Sequence, residues 1–344
     1  MIDRVIPERD LIPFCTGDDL ASRARGLLRQ QMATWGLLRN GYDSLDTVKT
    51  RTFEFDGFVV NVQYNPGRLT SSSAKVDQQS IKERKCFLCP RNLPAEQLGL
   101  SYRDEYLILC NPFPIFPEHF TLSHKDHTAQ QISSSFETLL DLSKELSKGY
   151  TVFYNGPRCG ASAPDHLHFQ AGNKQFMPID NEYEGIKKTS ADQIGKSEFL
   201  QAYSVEKYLR RFVSLESKDC RSLLRAFEIF YKALYEVSID NNEVQVSRGE
   251  PMMNILAAYD NGEWRVILFP RAKHRPSFFF FEGEKRILLS PAAVDLGGAC
   301  ITPLERDFEK ITRENIVDMF SEVSLSADVF GRLKKRLSHE LAAP

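Results

Sequence analysis

The sequence has no long apolar run. Its densest aromatic stretch, SFFFF at 277–281, is five residues, far below the roughly 18 that a membrane helix needs. This excludes a spanning helix. Net charge is also nearly absent, with 44 basic against 46 acidic residues and a balance of −2. A generic nucleic-acid binder carries a basic surplus, so no nucleic-acid partner is expected. A disordered chain combines high net charge with low hydrophobicity, whereas 42% of these residues are hydrophobic. The opening MIDRVIPERD lacks the apolar segment of a signal peptide, and a cytoplasmic protein is the expectation. Seven cysteines are an odd number, and without an export signal they are not a disulfide framework.

The 344 residues allow two domains or one large one. Helical apolar spacing marks residues 17–35 through Leu20, Ala24, Leu27, Leu28 and Met32. Alternation over 52–64 predicts a hairpin or one long strand. Strands are expected at 105–110, 119–124, 149–155 and 166–172, with a helix over 129–147. Residues 174–200 are polar and read as a linker or an interdomain excursion. A helix at 218–236, strands at 251–259, 263–271 and near 286–290, and a helical tail from 304 complete the pattern. Strands and helices do not alternate regularly, which favours an α+β fold. HFTLSHKDH and VILFPRAKH read either as a weak repeat, with His127 and His274 at corresponding places, or as two unrelated strand ends that are alike by coincidence.

Five of the seven histidines fall between residues 119 and 168, which puts the chemistry in the first half. In GASAPDHLHFQAG, His166 and His168 are two apart and on a strand would share a face continued by Gln170. Three aligned polar side chains are a poor core. They suit either a solvated face or a site needing a neutral imidazole as nucleophile or metal ligand. The glycine-rich turn before them offers backbone N–H groups to phosphate oxygens. Cys86 and Cys89 form a C-x-x-C. It reads as half of a zinc site, as a redox pair, or as two buried thiols. A Cys₂His₂ site would draw on His119, His124, His127, His166 or His168. Cationic candidates for phosphates are Arg68, Lys75, Arg84, Arg91 and Arg158, with Arg68 and Arg158 preferred. A basic turn at Arg271, Lys273, His274 and Arg275 either binds phosphate or is solvated.

CFLC at 86–89, FPIFPEHFTLSHKDH at 113–127 and FYNGPRCGASAPDHLHFQ at 153–170 resemble the histidine-triad superfamily. More narrowly, they resemble its nucleotidyl transferase and phosphorylase branch. That branch contains galactose-1-phosphate uridylyltransferase, diadenosine tetraphosphate phosphorylase and GDP-L-galactose phosphorylase. The signature His-x-His-x-Gln is matched by HLHFQ. VQYNPGR at 62–68 and LLSPAAVDLGGACITPLERDFEKIT at 288–312 are similar to segments of the phosphorylases, so the likeness covers about residues 50–315.

The resemblance implies two histidine-triad-like halves of antiparallel sheet and packed helices, an internal duplication with one active half. Residues 1–176 would be catalytic and 177–344 a degenerate half completing the site. His168 would be the covalent nucleophile and Gln170 the holder of the phosphoryl oxygens. Cys86, Cys89, His127 and His166 would bind a structural zinc, with His119 the rival to His127. Arg68, Asn155, Arg158, Gly160, Ser162 and His274 would contact substrate. The implied reaction is phosphorolysis of a nucleotide-sugar of GDP-hexose type or of a dinucleoside polyphosphate. Alternatives are transfer to a sugar phosphate and a non-catalytic nucleotide sensor. The partners are a nucleotide-sugar or dinucleotide and inorganic phosphate or a sugar phosphate, with no membrane, and a monomer or homodimer is expected. The chain departs from the uridylyltransferase in one extra residue between Ser162 and His166. A second departure is Asp165, whose charge would repel an α-phosphate, so it is expected to point away or to pair with an arginine.

Overall fold

The computed structural model describes residues 4–69, 78–240 and 249–341. The first β structure is a hairpin, β1 (Lys49–Phe55) and β2 (Phe58–Tyr64). Its turn uses Asp56 and Gly57, and Gly57 has φ +81°, a conformation that costs glycine least. Then come β3 (Gly99–Tyr102), β4 (Tyr106–Cys110), β5 (His119–His124), β6 (Tyr150–Asn155) and β7 (His168–Asn173). The second half supplies β8 (Ala191–Lys196), β9 (Gln201–Val205), β10 (Phe212–Ser217), β11 (Met253–Asp260) and β12 (Glu263–Pro270), followed by β13 (Ala299–Thr302).

β3 to β12 form one ten-stranded antiparallel sheet in the order β3-β4-β5-β7-β6-β11-β12-β10-β9-β8. Counted outward from the central β6–β11 pair, each half contributes its fourth, fifth, third, second and first strand. In each half a helix joins the third strand to the fourth, Phe136–Glu145 in one and Cys220–Ile239 in the other. Identical strand order about one antiparallel junction is an internal duplication with approximate two-fold symmetry. The expected α+β fold is therefore present, with the two halves fused into one sheet.

Alternation puts a separate core on each face. One is built on side chains such as Phe169, Ala171, Ile255 and Leu268 and is covered by the helices Leu20–Thr34, Phe136–Glu145, Cys220–Ile239 and Ala327–Leu341. The other holds Phe153, Leu256 and Ile267 beneath the small sheet β1-β2-β13 and the helices Pro178–Ser190 and Arg313–Val323. In the small sheet β13 runs parallel to β2. Among the described residues no helix is long and apolar enough to cross a membrane.

Several expectations are corrected. Residues 174–200 are not a linker but the helix Pro178–Ser190 and β8. The helix buries only Pro178, Ile179, Tyr183 and Ile186, so its composition reads as polar. No strand forms at 286–290, where an extended segment is anchored instead by the Leu288 N–H to Asp307 at 2.7 Å. The helix expected over 129–147 begins only at Phe136. The two similar strings are not equivalent, because HFTLSH is the third strand of its half and VILFP lies in the fifth strand of the other. Both are buried strands running into a polar turn, a pattern too common to identify a repeat.

Candidate active site and metal centre

The sheet face carrying the second core opens, over the first half, into a cavity of about 430 Å³. Three neighbouring strands supply its floor through alternate residues: Thr121 from β5, His168 and Gln170 from β7, Phe153 and Asn155 from β6. The wall facing them holds Arg68, from the turn after β2, and the second-half residues His274, Arg275, Ser290, Ala292 and Asp295. Trp35, Leu37, Phe87, Leu88, Phe113 and Ile115 give the cavity an apolar side.

His168 is buried, and burial pushes its pKa down to about 4, which keeps the ring neutral at pH 7. Its Nδ1–H donates to the His166 carbonyl at 2.8 Å. That fixes the tautomer with the lone pair on Nε2. Gln170 is oriented by His119. The Ile115 N–H donates to His119 Nδ1 at 3.2 Å, so His119 Nε2 carries the proton and donates to Gln170 Oε1 at 2.9 Å. The Gln170 NH₂ is thereby the half of the amide available to a ligand oxygen. Burial lowers the His119 pKa to about 3, with Arg68 adding to the effect. His119 thus belongs with Gln170 and stands apart from the metal cluster.

Asn155 accepts from Asn254 Nδ2 and from the Ala293 N–H, both at 2.8 Å, which makes its NH₂ the available half as well. Gly160 has φ +93°, and a Cβ there would lie 2.5 Å from the Ala292 Cβ. Ser162 and His274 both line the cavity. Burial lowers the His274 pKa to about 3, reinforced by Arg275, Arg271 and Arg158. Arg158 itself is not among the lining residues. Arg271 is fully buried and braces the turn by donating to the carbonyls of Lys273 and His274, each at 3.1 Å. Burial also lowers the Arg68 pKa to about 10, and Arg68 donates to the Phe113 carbonyl at 2.6 Å. Lys75 lies outside the described residues.

His166 is not on the strand with His168, since β7 begins at His168. The chain turns at 163–166, where the His166 N–H meets the Ala163 carbonyl at 3.2 Å. That turn sends His166 to Cys86, Cys89 and His127, and the four ligand atoms all lie within 4.8 Å of one another. His166 Nδ1 is 3.3 Å from Cys86 Sγ, 3.6 Å from Cys89 Sγ and 3.3 Å from His127 Nδ1, which is itself 3.3 Å from Cys89 Sγ. A tetrahedral centre with metal–nitrogen bonds of about 2.0 Å and metal–sulfur bonds of about 2.3 Å has nitrogen–nitrogen edges near ~3.3 Å and nitrogen–sulfur edges near ~3.5 Å. The donor set fits a metal ion.

The surroundings agree with that fit. His166 Nε2–H donates to the His124 carbonyl at 2.7 Å, turning the Nδ1 lone pair inward. Burial pushes the Cys89 thiol up to about 11, so a cation is what would stabilise the thiolate. Asp165 pairs with Arg84 at 2.5 Å and lies 3.6 Å from His127 Nε2. This is the arginine partner expected of it, and it occupies Arg84 away from any phosphate. Sequence reasoning did not find the roles of His119, Ser290, Asp295 or the apolar side of the cavity. Arg275 was visible only as part of a basic turn.

Comparison with solved structures places this architecture in a known class. The chain is similar to yeast Ap4A phosphorylase Apa2 in complex with AMP, at TM-score 0.53 and 15% identity, over 87% of this chain and 97% of that one. A second structure of yeast Ap4A phosphorylase Apa2 matches at TM-score 0.51 and 14% identity, over 85% and 97%. At these identities the likeness is one of fold. Two family models match the sequence: a domain of unknown function, DUF4922, over residues 27–173, and the GDPGP1-like C-terminal domain over 186–343. The GDPGP1-like match over the second half and the fold shared with the Ap4A phosphorylase structures agree with the resemblance read from the motifs. No curated protein matches it in sequence.

Proposed function

We propose that this enzyme is a nucleotide phosphorylase working through a covalent nucleotidyl-His168. The observation that carries the reading is a neutral, buried imidazole whose Nε2 lone pair meets no partner among the described residues, beside Gln170, on the floor of a cavity lined by Arg68, Asn155, Ser162, His274 and Arg275. A neutral nucleophile is not repelled by phosphate oxygens, and its adduct divides one hard transfer into two easier ones.

In the first step His168 Nε2 forms a bond to the α-phosphorus of a nucleoside diphosphate derivative, and the bond from phosphorus to the bridging oxygen breaks. The outer part of the substrate leaves as a phosphate ester. In the second, an oxygen of inorganic phosphate attacks the same phosphorus, the phosphorus–nitrogen bond breaks, and a nucleoside diphosphate is released. The Gln170 and Asn155 NH₂ groups would hold the equatorial oxygens as charge builds on them. Arg68, Arg275 and neutral His274 would receive the outer phosphates, with Ser162 and the N–H groups around Gly160 beside them. The apolar side would take the base. Residues 1–176 on this reading carry the chemistry, and 177–344 complete the cavity wall.

The metal in this proposal is zinc, held by Cys86, Cys89, His127 and His166. Four protein ligands leave no position for substrate, so its contribution is to tie the 86–89 loop to the turn at His166. The acceptor is phosphate and the donor a nucleotide-sugar or dinucleoside polyphosphate. The test is to incubate the protein with a panel of both substrate kinds and inorganic phosphate and to detect released nucleoside diphosphate. No nucleoside diphosphate from any of them, or turnover only when a sugar phosphate replaces phosphate and a new nucleotide-sugar forms, would overturn the phosphorylase reading.

A further inference from the structure

The β6–β7 ladder runs from Tyr150↔Asn173 to Phe153↔Gln170. Continued two residues, that register would set Asn155 against His168. Both are extended strand residues, yet they are not paired with each other. The Gln130 carboxamide lies between them. Its Oε1 accepts the His168 N–H at 2.8 Å, and its Nε2 donates to the His168 carbonyl at 3.1 Å and the Asn155 carbonyl at 2.9 Å. Gln130 is 1% exposed. A single side chain therefore replaces a rung of the sheet, satisfying both backbone groups of His168.

The segment bearing Gln130 is stitched down on either side. The Thr128 carbonyl accepts the Leu167 N–H at 2.7 Å. The Ile132 N–H donates to Glu250 Oε2 at 2.6 Å, and Glu250 Oε1 accepts the Tyr154 hydroxyl at 2.8 Å. These bonds use the backbone of 128–132 outside a helix, which is why the helix starts only at Phe136.

We propose that Gln130 is a positioning residue for the transfer, a wedge that sets the spacing between His168 and Asn155 and the direction of the His168 ring. This rests on the reading of His168 as nucleophile. Directly paired antiparallel residues stand only about 4.5–5.5 Å apart at Cα. At that spacing their two side chains on the cavity face would contact each other. The inserted amide parts the strands at this one position, so that a phosphoryl group fits between the imidazole and the Asn155 amide. It also holds the His168 backbone so that Nδ1–H reaches the His166 carbonyl.

The experiment compares Gln130→Met and Gln130→Glu with the wild type at full length. Methionine fills the same volume and removes all three hydrogen bonds. The rate of adduct formation without phosphate should fall about 100-fold, the scale of a misplacement near 1 Å, while the affinity for a nucleoside monophosphate changes less than about threefold. Glutamate keeps the acceptor for the His168 N–H but turns a carboxylate toward two carbonyls until it is protonated. Its activity relative to wild type should therefore rise as pH is lowered from 8 to 5, a recovery that loss of packing alone does not give. The proposal is overturned if Gln130→Met forms adduct at the wild-type rate, or if rate, nucleotide affinity and melting temperature fall together. Should Gln130→Met not fold, a flat relative pH profile for Gln130→Glu overturns it equally. Absence of an adduct on wild-type His168 would instead defeat the nucleophile reading on which this one stands.

Discussion

Replacing Cys89 with alanine removes one of the four atoms facing a common centre, one that lies 3.3 Å from His127 Nδ1 and 3.6 Å from His166 Nδ1. The loop itself has other anchors. Arg4 donates to the carbonyls of Pro90, Leu93 and Ala95 at 3.2, 2.9 and 3.1 Å, and Asn92 to that of Cys86 at 2.8 Å. The variant should therefore fold and lose what the metal contributes. An ion present at a thousand times its dissociation constant stabilises the folded state by about 4 kcal/mol. At about 2 °C per kcal/mol for a chain of this size, the melting temperature should fall by about 8 °C. Activity should fall as well, because the His166 carbonyl holds His168 Nδ1 at 2.8 Å. Metal content per chain, melting temperature and kcat are measured for both proteins with and without a chelator. The account expects one metal per wild-type chain and none in the variant, with a chelator lowering only the wild type. A variant that keeps its metal, or a chelated wild type with unchanged melting and rate, would refute the assignment of these four residues.

Three further outcomes follow from the same geometry. Gln170→Ala should lower kcat about 100-fold or more with KM little changed, the usual cost of removing one donor to a developing charge, and steady-state kinetics read this. Gly160→Ala combines a left-handed backbone with a Cβ contact at 2.5 Å to Ala292, so thermal denaturation should show a loss of about 1–3 kcal/mol. Burial raises the Glu250 pKa from 4.5 to about 7, so the folded chain holds that proton more tightly than the unfolded one. Its contribution is complete below pH 4.5 and is lost as pH rises to about 7, an effect of at most about 3.5 kcal/mol at 1.4 kcal/mol per pH unit. Denaturant titrations from pH 4.5 to 7.5 should show Glu250→Gln gaining stability relative to wild type as pH rises.

The sequence made part of this molecule legible. Asp19 marks the start of the helix Leu20–Thr34 and accepts the Ser22 N–H at 3.0 Å, as its side chain and position suggest. The polar row of His168 and Gln170 was visible because two polar side chains at strand spacing cannot form a core. Other features depend on partners far away in the chain. β13 is four residues buried throughout, with no alternation to mark it, and it is a strand because β2 lies beside it. The helix Pro178–Ser190 meets the sheet through so few side chains that its periodicity is faint. His119 reads as a metal ligand by residue type, and only the Ile115 N–H shows that it instead orients Gln170. The wedge at Gln130 had no signal, since one glutamine in a helix-like stretch looks like any solvated residue.

On this mechanism His168 carries the nucleotide. The direct measurement incubates the full-length wild type with nucleotide substrate labelled at the α-phosphate, without inorganic phosphate, and then quenches and maps the labelled peptide. The account predicts one label per chain, bound through nitrogen at His168, discharged to nucleoside diphosphate when phosphate is added, and absent in His168→Gly, which should keep its metal and fold. Label at any other residue, or substantial turnover by His168→Gly, would contradict it.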